Sequence, residues 1–290
     1  MEMLISGDGV RLHWRHWPAH GPAGAARGLV QLVHGLGEHI ARYEPLAETL
    51  NAAGWHVAGH DHRGHGRSEG PRGVLPQAAQ LMIDLATVMD HLRAQVPAPA
   101  GGGARPAWRH VLLGHSMGGA VAARFVAEGL LAQPARWSRD VHGLVLSSPA
   151  LAADLSAWQK LQLAVLPRLV PDVAAANGLD PAWISRDPEV VRAYEADPLV
   201  HDRISGRLAR FIVDAGREVR ELAPRWRTPT LLMWGGADRC VAPWGSAAFA
   251  GAAPAAVVDA QAWPALAHEI FNESEREQVL GRLTAWLERL

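Results

Sequence analysis

Gly114-His115-Ser116-Met117-Gly118 stands between a short apolar run, Val111-Leu112-Leu113, and a helical pattern, Ala120-Val121-Ala122-Ala123-Arg124-Phe125-Val126. Strand, tight turn carrying a serine, then helix is the context in which G-x-S-x-G lifts a serine hydroxyl above the end of a sheet. The glycines two residues either side leave room on a bend where a side chain would collide. Gly119 and the alanines after it let the helix lie close to the sheet. Its N-terminus then directs the positive end of a dipole at charge developing near Ser116. A chance glycine-rich loop is the alternative, and it does not account for the flanking strand and helix.

A serine hydroxyl needs a base to take its proton, and the base needs an acid to orient it. In this strand-turn-helix context the chain order is serine, acid, histidine. Thr230-Leu231-Leu232-Met233-Trp234 reads as a buried strand that runs into Gly235-Gly236-Ala237-Asp238, placing Asp238 at the carboxyl end of a parallel strand, where such sheets carry functional groups. Thirty residues on lies His268, just before the last amphipathic helix. A helix from about Pro243 to Ala250 and a strand from Ala255 to Val258 are expected between them, returning the chain to the same edge. Asp154 and Asp259 are rival acids, and Asp238 could instead cap a helix or a turn. The chain has 15 histidines, so residue type alone does not single out His268. His34, His39, His60, His62, His65 and His115 are read as groups that shape or support loops.

His34-Gly35-Leu36-Gly37 follows another apolar strand, Gly28 to Val33. An H-G-x-G loop at this point supplies one backbone donor to an oxyanion, and the residue after the nucleophile supplies the other. Those donors are the N–H groups of Leu36 and Met117.

Strands and helices alternate along most of the 290 residues, which predicts a mostly parallel central sheet with helices on both faces. Gly7-Asp8-Gly9 is expected to turn between two opening strands, the second Val10 to Trp17. Helices are expected over Tyr43–Ala53 and Gln77–Gln95, and a strand over Trp55–Ala58. Pro97 to Gly103 reads as a surface linker. The pattern fails over residues 151–224, which are expected to form a helical cap inserted in a core of residues 1–150 and 225–290. Leu155, Trp158, Gln162, Val165 and Leu169 form a stripe that can pack on the body. Leu161, Leu163, Leu166 and Val170 lie on other faces, suiting an acyl-chain tunnel, with Leu163 and Leu166 as its lining, or a lipid surface. The alternative is a helix buried on most sides by cap neighbours. Asn177 to Pro181 should break this helix, with another over Ser185–Tyr194.

The net charge of −1 argues against a nucleic-acid partner. Cys240 is the only cysteine, which excludes an intrachain disulfide. The N-terminus has neither a basic region nor a long apolar run, so no secretory leader is expected, and no segment suggests a membrane span. The His- and Asp-rich stretch from Gly59 to Gly70 lacks H-E-x-x-H spacing and any cysteine, so structural hydrogen bonding is expected there in preference to a metal.

Six stretches also carry a family resemblance: His34 to His39, Gly59 to Gly70, Gly114 to Gly119, Asp197-Pro-Leu-Val-His201, Gly235 to Arg239 and His268-Glu-Ile-Phe-Asn-Glu273. In this order the chain resembles the monoacylglycerol lipase and lysophospholipase branch of the α/β-hydrolases. The resemblance implies an α/β-hydrolase fold and hydrolysis of the ester of a monoacylated glycerol or glycerophospho compound. It carries Glu38 and Arg42 over to a segment near the alcohol group. The expectation is a serine esterase acting on small lipid esters, with Ser116, Asp238 and His268 as its triad and neither cofactor nor metal required. The single cysteine and the leader-free N-terminus suit a cytoplasmic location, and the cap offers a surface for transient membrane or micelle contact. Lysophospholipase and general carboxylesterase are the alternatives within the class. A non-catalytic ligand-binding α/β-hydrolase is the alternative outside it.

Overall fold

The computed structural model describes residues 2–21, 26–96 and 108–290. Two short strands, β1 (Glu2–Ile5) and β2 (Arg11–Trp17), pair antiparallel about the Gly7-Asp8-Gly9 turn. Then β3 (Gly28–Val33), α1 (Glu44–Ala52), β4 (Trp55–His60), α2 (Gln80–Gln95), β5 (Arg109–His115), α3 (Ser116–Glu128) and β6 (Gly143–Ser147) alternate. A long segment follows, holding α4 (Ala157–Leu169), β7 (Ala174–Ala176), α5 (Pro188–Ala196), β8 (Arg203–Ser205) and α6 (Gly206–Leu222). The chain closes with β9 (Thr230–Gly235), α7 (Pro243–Ala252), β10 (Val258–Trp263) and α8 (Arg276–Arg289).

Eight strands form one sheet in the order β1-β2-β4-β3-β5-β6-β9-β10. The six from β4 to β10 run parallel, and β2 joins β4 antiparallel. Its central strands are apolar runs because both faces are covered. Successive side chains on β5 serve opposite cores. Leu112 packs with Phe125 of α3, Val219 of α6 and Phe249 of α7, whereas Val111 and Leu113 pack with Leu50 of α1 and Leu283 and Trp286 of α8. This is the α/β-hydrolase fold.

Several expected boundaries move for local reasons. The strand expected over Ala255–Val258 begins at Val258, because Pro254 starts a turn whose carbonyl accepts from the N–H groups of Val257 and Val258. Gln77 to Ala79 form a turn before α2, with the Gln80 N–H donating to the Gln77 carbonyl at 3.0 Å. The helix expected from Ser185 starts at Pro188, since Asp187 caps it by accepting from the Glu189 N–H at 2.9 Å. A 3₁₀ turn over Ile40–Tyr43 precedes α1. The linker reading of Pro97–Gly103 lies outside the described residues.

The stripe assigned to α4 has the wrong phase. Trp158, Val165 and Leu169 face outward, Trp158 being 65% and Leu169 73% exposed, while Leu155, Gln162 and Leu163 are half-buried. The helix leans on the start of α6, where a Cβ on Gly206 would lie 3.2 Å from the Pro167 nitrogen. α6 itself reaches the main core through Leu208, Phe211, Ala215 and Val219. Gly216 lets it touch the chain after β6, because a Cβ there would come within 2.6 Å of the Leu151 carbonyl oxygen. The small β7–β8 pair was not foreseen from sequence.

Candidate active site

The turn between β5 and α3 puts Ser116 at φ = +54°, a left-handed conformation that costs a non-glycine residue roughly 1–3 kcal/mol and clusters at functional sites. Close packing explains the surrounding glycines. A Cβ on Gly118 would lie 2.0 Å from the Val33 carbonyl oxygen, and one on Gly35 would lie 3.1 Å from the Ser116 Cβ and 2.8 Å from Glu38 Oε1. The loop after β3 therefore rests directly against the serine turn. Leu36, Ser116 and Met117 line one cavity.

Buried histidines hold that loop. The His62 N–H donates to His34 Nε2 at 2.8 Å, so the proton of His34 sits on Nδ1, which donates to the Gly35 carbonyl at 2.8 Å. Burial, with the neighbouring His62 and His65, pushes the His34 pKa well below the ordinary value, and burial brings His60 and His62 down to about 3. In the same stretch Asp61 accepts from the Ile40 and Arg67 N–H groups, both at 2.8 Å, and Arg63 pairs with Asp84 at 2.6 Å and Asp8 at 2.9 Å.

His268 and Asp238 arrive from separate loops that two glycines allow to touch. A Cβ on Gly235 would lie 2.1 Å from the Ala267 carbonyl oxygen, and one on Gly236 would lie 2.7 Å from the Pro264 Cα. His268 Nδ1 donates to Asp238 Oδ2 at 2.6 Å. The other carboxylate oxygen, Oδ1, accepts from the N–H groups of Cys240 at 2.8 Å and Val241 at 3.1 Å. Burial alone would lower the His268 pKa. The Asp238 carboxylate reverses this by charge and hydrogen bond, helped by Glu269 and Glu38, and the pKa is raised above the usual histidine value. Ser116 and His268 line one cavity. No hydrogen bond joins Ser116 Oγ to His268 among the described residues, and in unliganded sites such bonds commonly form only with substrate.

The rival acids have other partners. Asp154 accepts from the indole N–H of Trp244 at 2.9 Å, and Asp259 pairs with Arg282 and Arg289.

Glu38 and Arg42 are both near the site, in different roles. Glu38 accepts from the Gly35 N–H at 2.6 Å and the Tyr43 hydroxyl at 2.7 Å, and pairs with Arg42 at 2.7 Å. Arg42 also forks onto Glu269, at 2.7 and 2.8 Å. Burial would raise the Glu269 pKa, but the Arg42 guanidinium brings it below the ordinary value. Glu38 lines the cavity at Ser116, whereas Arg42 does not.

Two cavities meet at Ser116 and share Leu36, Leu179 and Cys240. One, of about 450 Å³, has a mixed lining, in which polar groups such as Glu38, Tyr194, Asp197, His201 and Glu269 stand beside apolar ones such as Leu36, Ile184 and Val200. The other, of about 230 Å³, is lined mainly by apolar groups, among them Met117, Leu151, Ile212, Val213, Val241 and Trp244. Leu163 and Leu166, expected to line the acyl tunnel, line neither; Leu163 is half-buried and Leu166 exposed. Their places are taken by Ile212 and Val213 of α6, a helix that sequence reading did not delimit. The strong apolar periodicity of Leu208, Phe211, Ile212, Ala215 and Val219 was the available signal.

Residues 24–275 match the family described as serine aminopeptidase, S33. A monoacylglycerol lipase of Mycolicibacterium smegmatis is 34% identical over 287 residues, covering 96% of this chain and 93% of that protein. A monoglyceride lipase of Rattus norvegicus is 32% identical over 240 residues, covering 81% of this chain and 72% of that one. Among solved structures, a monoacylglycerol lipase of Paleococcus ferrophilus superposes with a TM-score of 0.79 at 33% identity, covering 95% of this chain and 98% of that one.

Proposed function

The chain belongs to the serine aminopeptidase S33 family and is a serine hydrolase of carboxylic esters, and from that premise we propose that it cleaves monoacylglycerols to fatty acid and glycerol. The division of the two cavities carries this reading. The apolar cavity suits an acyl chain, which gains about 0.8 kcal/mol for each methylene buried. The larger cavity, which carries the polar groups, suits the alcohol. Six carboxylates line it, from Glu38, Asp180, Glu195, Asp197, Asp202 and Glu269, and no lysine or arginine is among its lining residues. Arg42 offsets the charge of Glu38 and Glu269 from behind the wall, but no arginine or lysine lines the cavity to receive a phosphodiester, so a neutral glycerol is favoured over the phosphate of a lysophospholipid. Relatives named as monoacylglycerol lipases support the same choice.

On this reading Ser116 Oγ attacks the ester carbonyl carbon while His268 Nε2 takes its proton. The carbonyl electron pair moves onto oxygen, where the N–H groups of Leu36 and Met117 stabilise it. The C–O bond to glycerol then breaks, and His268 protonates the departing oxygen. Water repeats the sequence on the acyl-enzyme, releasing the fatty acid and restoring Ser116. Asp238 keeps the proton on His268 Nδ1 and stabilises the imidazolium.

Residues 151–224 act as a cap over this site. The outward face of α4, with Trp158, Leu161 and Leu169, serves as the transient contact with a lipid surface. No helix among the described residues is long and apolar enough to cross a membrane. The test is a comparison of kcat/KM for monooctanoylglycerol, trioctanoylglycerol and octanoyl lysophosphatidylcholine. The monoacylglycerol should be preferred by at least about tenfold, whereas a preference for the phospholipid would overturn the reading.

A further inference from the structure

Asp154 has no part in the triad, yet its side chain is well engaged. Its Oδ1 accepts the indole N–H of Trp244 at 2.9 Å. On the face of the same indole lies the Arg220 guanidinium, 4.9 Å from the ring centroid, with its Nη1 donating to the Gly216 carbonyl at 3.1 Å. Three separate elements thus fix one ring: the chain after β6 through Asp154, α6 through Arg220, and α7, which carries Trp244. Held at an edge and on a face, the indole loses the freedom of an ordinary surface side chain, although it is 50% exposed.

This ring is also part of the wall of the apolar cavity that begins at Ser116. Met117, Leu151, Ile212 and Val213, which line its interior, are buried or half-buried; Leu179, exposed, lies where the two cavities meet, and Trp244, with the exposed Ala153 and Arg217, lies at an end that meets solvent. The guanidinium of Arg217 is committed to Asp214 and Glu221 at that rim. At about 230 Å³ the cavity is bounded, so an acyl chain long enough to fill it must extend beyond its solvent end. A longer chain that leaves by this end passes the indole.

We propose that Trp244, positioned by Asp154 and Arg220, closes the outer end of the acyl cavity and limits efficient substrates to medium-chain acyl esters. The inference rests on the assignment of the apolar cavity to the acyl chain, and it concerns chain length independently of the alcohol. Trp244 is a specificity-determining residue on this account, and Asp154 a positioning residue that acts through it.

The experiment measures kcat/KM for p-nitrophenyl octanoate and p-nitrophenyl palmitate, whose alcohol is the same and is not glycerol. The wild-type enzyme should prefer the octanoate. Trp244→Ala should raise the palmitate-to-octanoate ratio by about tenfold, since additional methylenes gain a path. Asp154→Ala should raise the ratio less, and Asp154→Asn, which keeps an acceptor for the indole N–H, should restore it towards the wild-type value. A circular dichroism melt of each variant confirms that it is folded. A wild-type preference for palmitate, or a ratio within twofold of wild type in folded Trp244→Ala, would overturn the proposal. Failure to cleave monooctanoylglycerol while these ratios move as stated would instead reject glycerol as the alcohol and leave the gate standing.

Discussion

Arg42 holds both carboxylate oxygens of Glu269, the residue next to His268, from a position 227 residues earlier in the chain. It also donates to Glu38, whose other oxygen fixes the Gly35 N–H of the loop beside Ser116. One guanidinium therefore ties the loop that approaches the serine to the loop that carries the histidine. Both carboxylates are almost fully buried.

Removing that guanidinium leaves two buried carboxylates without their cation. Arg42→Ala should lower the unfolding free energy by about 3–5 kcal/mol, the usual result of breaking a buried pair by deleting one partner. Urea denaturation checks this, and a loss below about 1 kcal/mol would show that the pair carries little of the stability.

The second expectation concerns pH. In the proposed mechanism His268 is neutral when it accepts the Ser116 proton, and the Asp238 carboxylate raises its pKa. The protonated, inactive form then persists to higher pH, so kcat/KM should rise through an apparent pKa above the ordinary histidine value of about 6.5. Asp238→Asn removes the main raising influence and leaves burial opposed only by the charges of Glu269 and Glu38. The acid limb should shift downward while the plateau falls by several orders of magnitude. Asp259→Asn should leave the profile in place. A limb that stays fixed in Asp238→Asn would break the link between the two residues.

Cys240 lines both cavities, and its thiol pKa is pushed up by burial and by the charges of Asp238 and Glu269. Thiolate is scarce near neutral pH, so N-ethylmaleimide should react slowly and faster as pH rises. Each labelled molecule should lose activity by steric block, and Cys240→Ala should abolish the sensitivity relative to its own untreated rate. Full activity after mass-verified labelling would place the thiol away from the substrate.

The exposed face of α4 should matter only at an interface. Trp158→Asp with Leu169→Asp should reduce the rate on monoacylglycerol in phospholipid vesicles several-fold and leave the rate on a dissolved butyrate ester close to wild type. Equal losses on both would assign the face to folding.

Local spacing made much of this legible. The serine turn, the strand leading to Asp238 and the position of His268 can each be read within about a dozen residues, because steric demands on a tight turn act on neighbours in sequence. The structure brings Asp238 and His268 together through Gly235 and Gly236, residues whose closeness to Ala267 and Pro264 has no local signature. α4 misled because apolar residues lie on several of its faces, so periodicity could not choose which one meets the body. β10 misled because an edge strand half open to solvent alternates in burial and lacks the continuous apolar run of β5. The Arg42–Glu269 pair and the Trp244 wall are tertiary events between distant segments, for which a single sequence holds no spacing to read.

Glycerol release from monooctanoylglycerol, followed for the wild-type protein and for folded Ser116→Ala, tests the central claim most directly. The account predicts steady turnover by the wild type and a fall of about three orders of magnitude or more in the variant, since only binding and oxyanion stabilisation remain. Wild-type protein that releases no glycerol, or a Ser116→Ala variant that keeps a tenth of the rate, would contradict it.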